Sequence, residues 1–226
     1  MSESRLNDES VVRSWMGNAA PWTRAVRNNE IESRVAITNQ AIANTIVSLK
    51  PRTLLDVGCG EGWLVRELAS HGIEATGIDI VPELITHAKE LGGGNFRVLS
   101  YEQLAAGELQ TNFDAVVCNF SLIGEESVSQ LFTAAPTLLT ATGSLVIQTL
   151  HPTVACGKLP YTDGWRSGSW DGFSRDFKDP PPWYFRTISS WVALFTTNNM
   201  TLVQLLEPTK IDSNQPSSMI LVGRTI

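Results

Sequence analysis

Residues 54–64 read LLDVGCGEGWL, an apolar run ending in one aspartate, then glycine at positions 58, 60 and 62, then a fresh apolar pattern. Glycine loses more conformational freedom on folding than any other residue. Three at alternate positions therefore imply a backbone that takes positive φ, or that lets something approach the main chain closely. A buried strand feeding a helix through such a turn places the glycines at the carboxyl edge of a sheet, beside a helix N-terminus. Ligands of open α/β sheets bind there, and a ligand is expected at this turn.

Outward from the turn, short apolar runs at 53–57, 74–79, 95–99, 113–118 and 144–150 alternate with helical patterns at 62–71, 82–91 and 125–138, and a shorter one near 101–106. Strands apolar on both faces and separated by helices predict a parallel sheet covered on two sides. Upstream, Ile31, Val35, Ile42, Ile46 and Leu49 keep one face of a helix that Pro51 ends. Downstream, residues 151–182 carry five prolines and four glycines, too many for regular structure of any length. A helix resumes on Ile188, Trp191, Val192 and Phe195, and the runs 200–206 and 218–224 suit an antiparallel hairpin at the sheet edge. The expected fold is α/β and Rossmann-like, a doubly wound, mostly parallel seven-stranded sheet with an antiparallel C-terminal hairpin. Residues 1–226 form one domain in this reading, with an N-terminal helical cover over 1–50 and an aromatic, substrate-side insertion over 151–186.

With 226 residues, 42% of them hydrophobic, the chain can bury one core. A net charge of −6, with lysines and arginines scattered, gives no electrostatic footprint for nucleic acid. Cys59, Cys118 and Cys156 are odd in number and lack CxxC spacing, which argues for reduced thiols and against a disulfide scaffold or a metal site. No apolar run reaches the length of a membrane span, and MSESRLNDES lacks the features of a signal peptide. The expectation is a cytoplasmic monomer or homodimer that takes a small-molecule substrate, without membrane or nucleic-acid partners.

The spacing Gly58, Gly60, Gly62 is G-x-G-x-G and not the G-x-G-x-x-G of a dinucleotide fingerprint. Asp79 ends the next strand in ATGID, where two carboxylate oxygens can accept both hydroxyls of a ribose, although that spacing alone would also suit NAD. A helix cap is the plainer role for Asp79. Taken together, LLDVGCGEG and ATGID resemble the first two motifs of the class I S-adenosylmethionine (SAM)-dependent methyltransferases. FRVLSYEQL, FDAVVCNFSLI and GSLVIQTLHP fall where the third, fourth and fifth strands of that family do. Within it, the chain is most similar to small bacterial methyltransferases of the ubiquinone-biosynthesis type.

The resemblance implies SAM as cofactor and S-adenosylhomocysteine (SAH) as product, with N-terminal helices folded over them. It implies Gly58 and Gly60 as backbone contacts to the methionine and ribose parts, with Asp56 supporting the amino group. Asp79 would hold the ribose, Ile80 would pack on the adenine, and Asn119 and Phe120 would lie under the methionine moiety. The family commonly has an aspartate for the adenine amine where this chain has Ser100, so that task falls to Ser100, Tyr101 or Glu102. Arg34 is a candidate partner for the SAM carboxylate, where bidentate geometry helps, or else a solvated helix charge.

A sulfonium methyl is already an activated electrophile, so alignment and exclusion of water are the main requirements. His151, after the fifth strand in QTLHP, is the candidate general base; its rival role is a histidine bonded within the turn. Many relatives also carry a histidine after the fourth strand, where this chain has Gly124. Residues 161–191 hold half of the chain's aromatics. They suit a roof over a planar or apolar substrate, with Arg166, Arg175 or Arg186 available for an anion; a dimer interface or ordinary core packing are the alternatives. The reading is SAM-dependent methyl transfer to an O or N nucleophile of a small molecule. A non-catalytic SAM-binding or regulatory protein stays open, as does, with less support, an NAD-linked oxidoreductase.

Overall fold

The computed structural model describes residues 6–210, 213 and 215–226. Helix α1 (Asp8–Arg27) comes first, followed by a π-helical turn at Arg34–Thr38 that runs into α2 (Asn39–Leu49). Then follow β1 (Thr53–Val57), α3 (Trp63–Ser70), β2 (Glu74–Asp79), α4 (Pro82–Leu91), β3 (Asn95–Val98), α5 (Tyr101–Ala105), β4 (Phe113–Asn119), α6 (Glu126–Leu138) and β5 (Leu139–Thr149). The chain continues through α7 (Pro152–Ala155), β6 (Gly164–Arg166), β7 (Trp183–Phe185), α8 (Ile188–Thr197), β8 (Met200–Leu206) and β9 (Met219–Thr225).

Seven strands form one sheet in the order β3-β2-β1-β4-β5-β9-β8. The first five are parallel, and β9 lies antiparallel to both β5 and β8. The strand order reverses between β1 and β4, which opens a crevice beyond their carboxyl ends. Alternation along the strands sends Leu55, Val116 and Ile147 to a core with Phe132 of α6 and Phe195 of α8. Leu54, Val117 and Val146 face Ile42 and Ile46 of α2 and Leu64 of α3 on the other side. Apolar pressure from both faces selects the β-rich runs seen in the sequence.

Three features refine or depart from the expected layout. The first is α1, the leading helix of the expected N-terminal cover. Val11, Trp15, Ala19 and Trp22 sit at helical spacing, but Pro21 inside the helix removes a backbone donor and reads as a breaker. Asn7 caps the helix by accepting from the Ser10 amide at 3.0 Å. The second is β5, which starts at Leu139 and not at 144, because α6 runs straight into it and an irregularity opposite Phe113 and Ala115 absorbs the extra residues. The third is the proline-rich insertion, which contains α7 and a two-stranded ribbon, with β6 and β7 antiparallel from Gly164 opposite Phe185 to Arg166 opposite Trp183.

Candidate active site

The turn after β1 is built as its glycines require. Gly58, Gly60 and Gly62 have φ of 78°, 58° and 84°, values that side chains with a Cβ rarely adopt. A methyl group on Gly58 would also lie 2.4 Å from Ser121 Cβ. The Gly58 and Cys59 amides both donate to the Ile78 carbonyl, at 2.8 and 2.9 Å, which ties the turn to β2. Beyond β4, Phe120 takes a φ of 55°, a strained conformation for an aromatic residue and one that clusters at functional sites.

Asp79 ends β2 as expected. One carboxylate oxygen accepts from the Gly60 amide and the other from the Val81 amide, both at 2.9 Å. The capping and ribose-binding roles are compatible, since a carboxylate has about four acceptor sites and two are used. Burial pushes the Asp79 carboxyl up, while the amides of Val81, Gly60 and Ile80 hold it down.

The neighbouring polar groups are less satisfied. Asp56 and Asn119 follow Leu54 and Val117 by two residues, so they share the sheet face that looks toward α2 and the π-helical turn. Asp56 Oδ1, Asn119 Oδ1 and Arg34 Nη2 are buried and have no hydrogen-bond partner among the described residues. The Arg34 guanidinium lies 4.9 Å from the Trp63 ring centroid and 5.6 Å from that of Trp22, and its Nε donates to Asn39 Oδ1 at 3.2 Å. Burial lowers Arg34 to about 10, against the pull of Glu61 and Asp56. Burial, reinforced by the Asp79 charge and opposed by Arg34, raises Asp56 to about 8. Orphaned buried groups of this kind are costly. Two acceptors and a guanidinium donor match the ammonium and carboxylate of a zwitterionic amino-acid end.

These groups open onto a cavity of about 740 Å³. Gly58, Gly60, Asp79, Ile80, Tyr101, Glu102, Asn119, Phe120 and Arg34 all line it, whereas Asp56 lies just beneath. Ser100 does not line it: its hydroxyl accepts from the Gln103 amide at 3.2 Å, and Gln103 Oε1 accepts from the Ser100 amide, a reciprocal cap of α5. The Tyr101 phenol donates to the Ser121 carbonyl at 3.1 Å. Of the three adenine candidates, Glu102 alone keeps an uncommitted carboxylate at the cavity wall.

A methyltransferase domain model matches residues 55–147, the segment from β1 to β5 that carries this site. The chain is 39% identical over 111 residues to a ubiquinone biosynthesis O-methyltransferase of Xanthomonas axonopodis pv. citri, covering 47% of this chain and 46% of that one. It is 38% identical over 118 residues to the Xylella fastidiosa protein of the same name, covering 50% and 48%. Residues 55–147 are thus similar to a methyltransferase domain. The matched region spans about half the length of these relatives. The fold likeness extends further. Magnesium protoporphyrin IX methyltransferase of Synechocystis PCC 6803, solved with bound SAH, superposes with a TM-score of 0.65 at 20% identity, over 97% of this chain and 100% of that one. A SAM-dependent methyltransferase from Mesorhizobium loti gives 0.61 at 19%, over 80% and 96%.

The other end of the cavity is aromatic. Trp15 and Trp22 of α1 meet edge to face at 5.0 Å, and Trp15 meets Trp170 of the insertion at 5.8 Å. Trp170, Phe173 and Phe177 pack mutually at 4.6 to 5.3 Å. The insertion docks on α1 through polar contacts: Asn18 Nδ2 donates to the Lys178 carbonyl at 2.7 Å, the Lys178 amide returns a bond to Asn18 Oδ1 at 2.9 Å, and Arg24 pairs with Asp176 at 2.6 Å. At the other end of α1, Asp8 accepts the Glu125 and Ser127 amides at 2.7 and 2.8 Å, capping α6. Sequence reading expected a helical cover over 1–50 but did not single out Trp15, Asn18 or Asp8 within it.

Two expectations are corrected by geometry. Two of the three arginines, Arg166 and Arg186, commit their terminal nitrogens to main-chain carbonyls, although Arg186 does line the cavity. Arg166 donates to the Cys156 and Pro160 carbonyls over the Phe185 ring, and Arg186 donates to the Gly124 and Glu125 carbonyls over Tyr184 and Trp191. Arg175 is exposed and outside the cavity lining. His151 also falls outside that lining, although its neighbours Leu150 and Pro152 belong to it. Its Nε2 pairs with Glu207 at 2.7 Å and its Nδ1 with the Thr153 hydroxyl at 2.8 Å, so both ring nitrogens are occupied in the link between β5 and α7. Alternation along β5 and the turn imposed by Pro152 aim the imidazole at the C-terminal hairpin. Neither fact is readable from strand-end position alone.

Among the described residues, no helix is long and apolar enough to cross a membrane.

Proposed function

We propose that this protein transfers the methyl group of SAM to an oxygen or nitrogen of a small, planar, largely apolar acceptor. One observation carries the reading. Gly58 and Gly60 of a positive-φ glycine turn share one cavity with Arg34, Asn119 and an aromatic chamber, and buried Arg34 Nη2, Asn119 Oδ1 and, behind the lining, Asp56 Oδ1 have no hydrogen-bond partner among the described residues. Arg34 would take the cofactor carboxylate, Asp56 and Asn119 the ammonium, Asp79 the ribose hydroxyls and Glu102 the adenine amine, with Ile80 against the ring. Bound SAM supplies an activated methyl on a positively charged sulfur.

The chain's own work is then to orient and to exclude water. Phe120, Leu122, Ile123 and Gly124 line the cavity together with Trp15, Trp170 and Phe173, whose rings would stack over an acceptor ring. With His151 turned away, methyl transfer rests on alignment of acceptor and methyl. The relatives named as O-methyltransferases favour oxygen as the acceptor atom.

The test is incubation of the protein with methyl-labelled SAM and an extract of small metabolites. The expected result is label in a discrete aromatic product together with SAH. Tight SAH binding without label transfer to any pool would replace this reading by a non-catalytic binder, and binding of NAD in preference to SAH would overturn the cofactor.

A further inference from the structure

Glu61 lies inside the glycine turn, between Gly60 and Gly62, yet its side chain is only 1% exposed. A carboxylate buried at this depth needs charged partners, and it has them from two directions. Arg66 of α3 embraces it, with Nη2 donating to the two carboxylate oxygens at 2.8 and 2.7 Å and Nη1 to the Glu61 carbonyl at 2.7 Å. Arg27, the last residue of α1, donates from Nε at 3.1 Å and uses its Nη2 to reach the His87 carbonyl of α4 at 2.8 Å. Burial lowers the pKa of Arg34, the guanidinium held between Trp22 of α1 and Trp63 of α3, and the Glu61 charge opposes that lowering.

We infer that Glu61 is a positioning residue that sets the cofactor turn and the acceptor wall with one carboxylate. Through Arg66 it fixes the glycine turn, which lines the cavity at Gly58 and Gly60. Through Arg27 it fixes the C-terminal end of α1, the helix that brings Trp15 and Trp22 over the cavity. The arm to α1 is the separable one, because Arg66 satisfies both carboxylate oxygens without it. This inference rests on the methyltransferase reading of the cavity for its meaning, but its test does not depend on turnover.

The experiment is amide exchange, followed peptide by peptide, on the full chain with and without SAH, for wild type, Arg27→Met, Arg27→Lys and Glu61→Gln, alongside SAH affinity by calorimetry. Losing a charge-assisted hydrogen bond changes a local opening equilibrium by about tenfold or more. Arg27→Met should therefore speed exchange in residues 8–27 by about that factor, leave the sheet at wild-type rates and keep SAH affinity within about threefold. Arg27→Lys should recover part of the protection. Glu61→Gln should loosen α1 and weaken SAH together. Wild-type exchange of α1 in Arg27→Met would overturn the inference, as would uniform acceleration across the whole chain, which marks a contact of general stability only. Failure of the wild-type protein to bind SAH would instead remove the cofactor reading, while the ligand-free comparison of α1 would still decide the positioning role.

Discussion

The two halves of the cavity are finished to different degrees. Around the glycine turn, buried atoms of opposite character have no partner among the described residues: Arg34 Nη2 on one side, Asp56 Oδ1 and Asn119 Oδ1 on the other. In the aromatic half, the polar groups satisfy one another. Asp8 caps α6, Arg186 serves two carbonyls, and Trp165 Nε1 donates to Glu125 at 2.8 Å. The first half is complementary to a charged molecule and is incomplete alone. The second is complete as it stands and offers mainly ring faces. One recognises by charge and hydrogen bonding, the other by shape.

The strongest way to break this contrast is Arg34→Met. SAH affinity should fall about 100-fold, the scale of a lost charge-assisted bond in a dry site. 5′-Methylthioadenosine, which lacks the amino-acid end, should bind the variant as it binds wild type. Equal losses for both ligands in calorimetry would show that Arg34 shapes the site generally and does not meet the carboxylate.

The second test uses the raised pKa of Asp56, about 8 against an ordinary 3.8. Between those values the folded ligand-free protein holds a proton that the unfolded chain has released. Stability should therefore fall as pH rises through that window and level off above it, by an amount on the order of a few kcal/mol. Thermal unfolding from pH 5 to 9 should show the decline in wild type and lose most of it in Asp56→Asn. An ammonium bound beside Asp56 favours the carboxylate, so SAH binding at pH 6 to 7 should release a proton, detectable as buffer-dependent heat. A decline of equal size in Asp56→Asn would assign it to other groups.

How far the molecule was legible divides along the same line. The five parallel strands and the terminal hairpin are written as apolar runs with local punctuation, and the glycine turn is written as glycines. Arg34 could be nominated, but that it is unpartnered depends on the π-helical turn and on rings from α1 and α3. Ser100 looked available because a hydroxyl does not announce that it caps its own helix. The aromatic half was legible as composition only: that Trp15 meets Trp170 depends on packing between segments about 150 residues apart. Glu61 went unread because a charge in a turn ordinarily faces water; its one local signal is Arg66, five residues on.

A milder substitution sharpens the contrast from the aromatic side. Phe173→Leu should lower methyl-transfer efficiency on an aromatic acceptor about tenfold, the scale of a lost ring contact, while SAH affinity stays within about threefold. Loss of SAH binding here would mean that the two halves are not separable. The smallest effect on turnover is expected at His151. His151→Gln should keep turnover within about threefold of wild type from pH 6 to 9. It should cost about 1 to 3 kcal/mol of stability, since the His151 side chain is only 3% exposed and is bonded at both ring nitrogens. A 100-fold fall in turnover that eases at high pH would restore it as a general base.

The carboxamide of Asn18 exchanges both its donor and its acceptor with the main chain of Lys178, as a neighbouring strand would. It engages no side chain there, so position 178 is free to vary without undocking the insertion from α1. In a lineage under pressure to accept new substrates, that arrangement lets the facing loop mutate while its attachment is preserved. Drift should thus be tolerated at Lys178 and purged at Asn18.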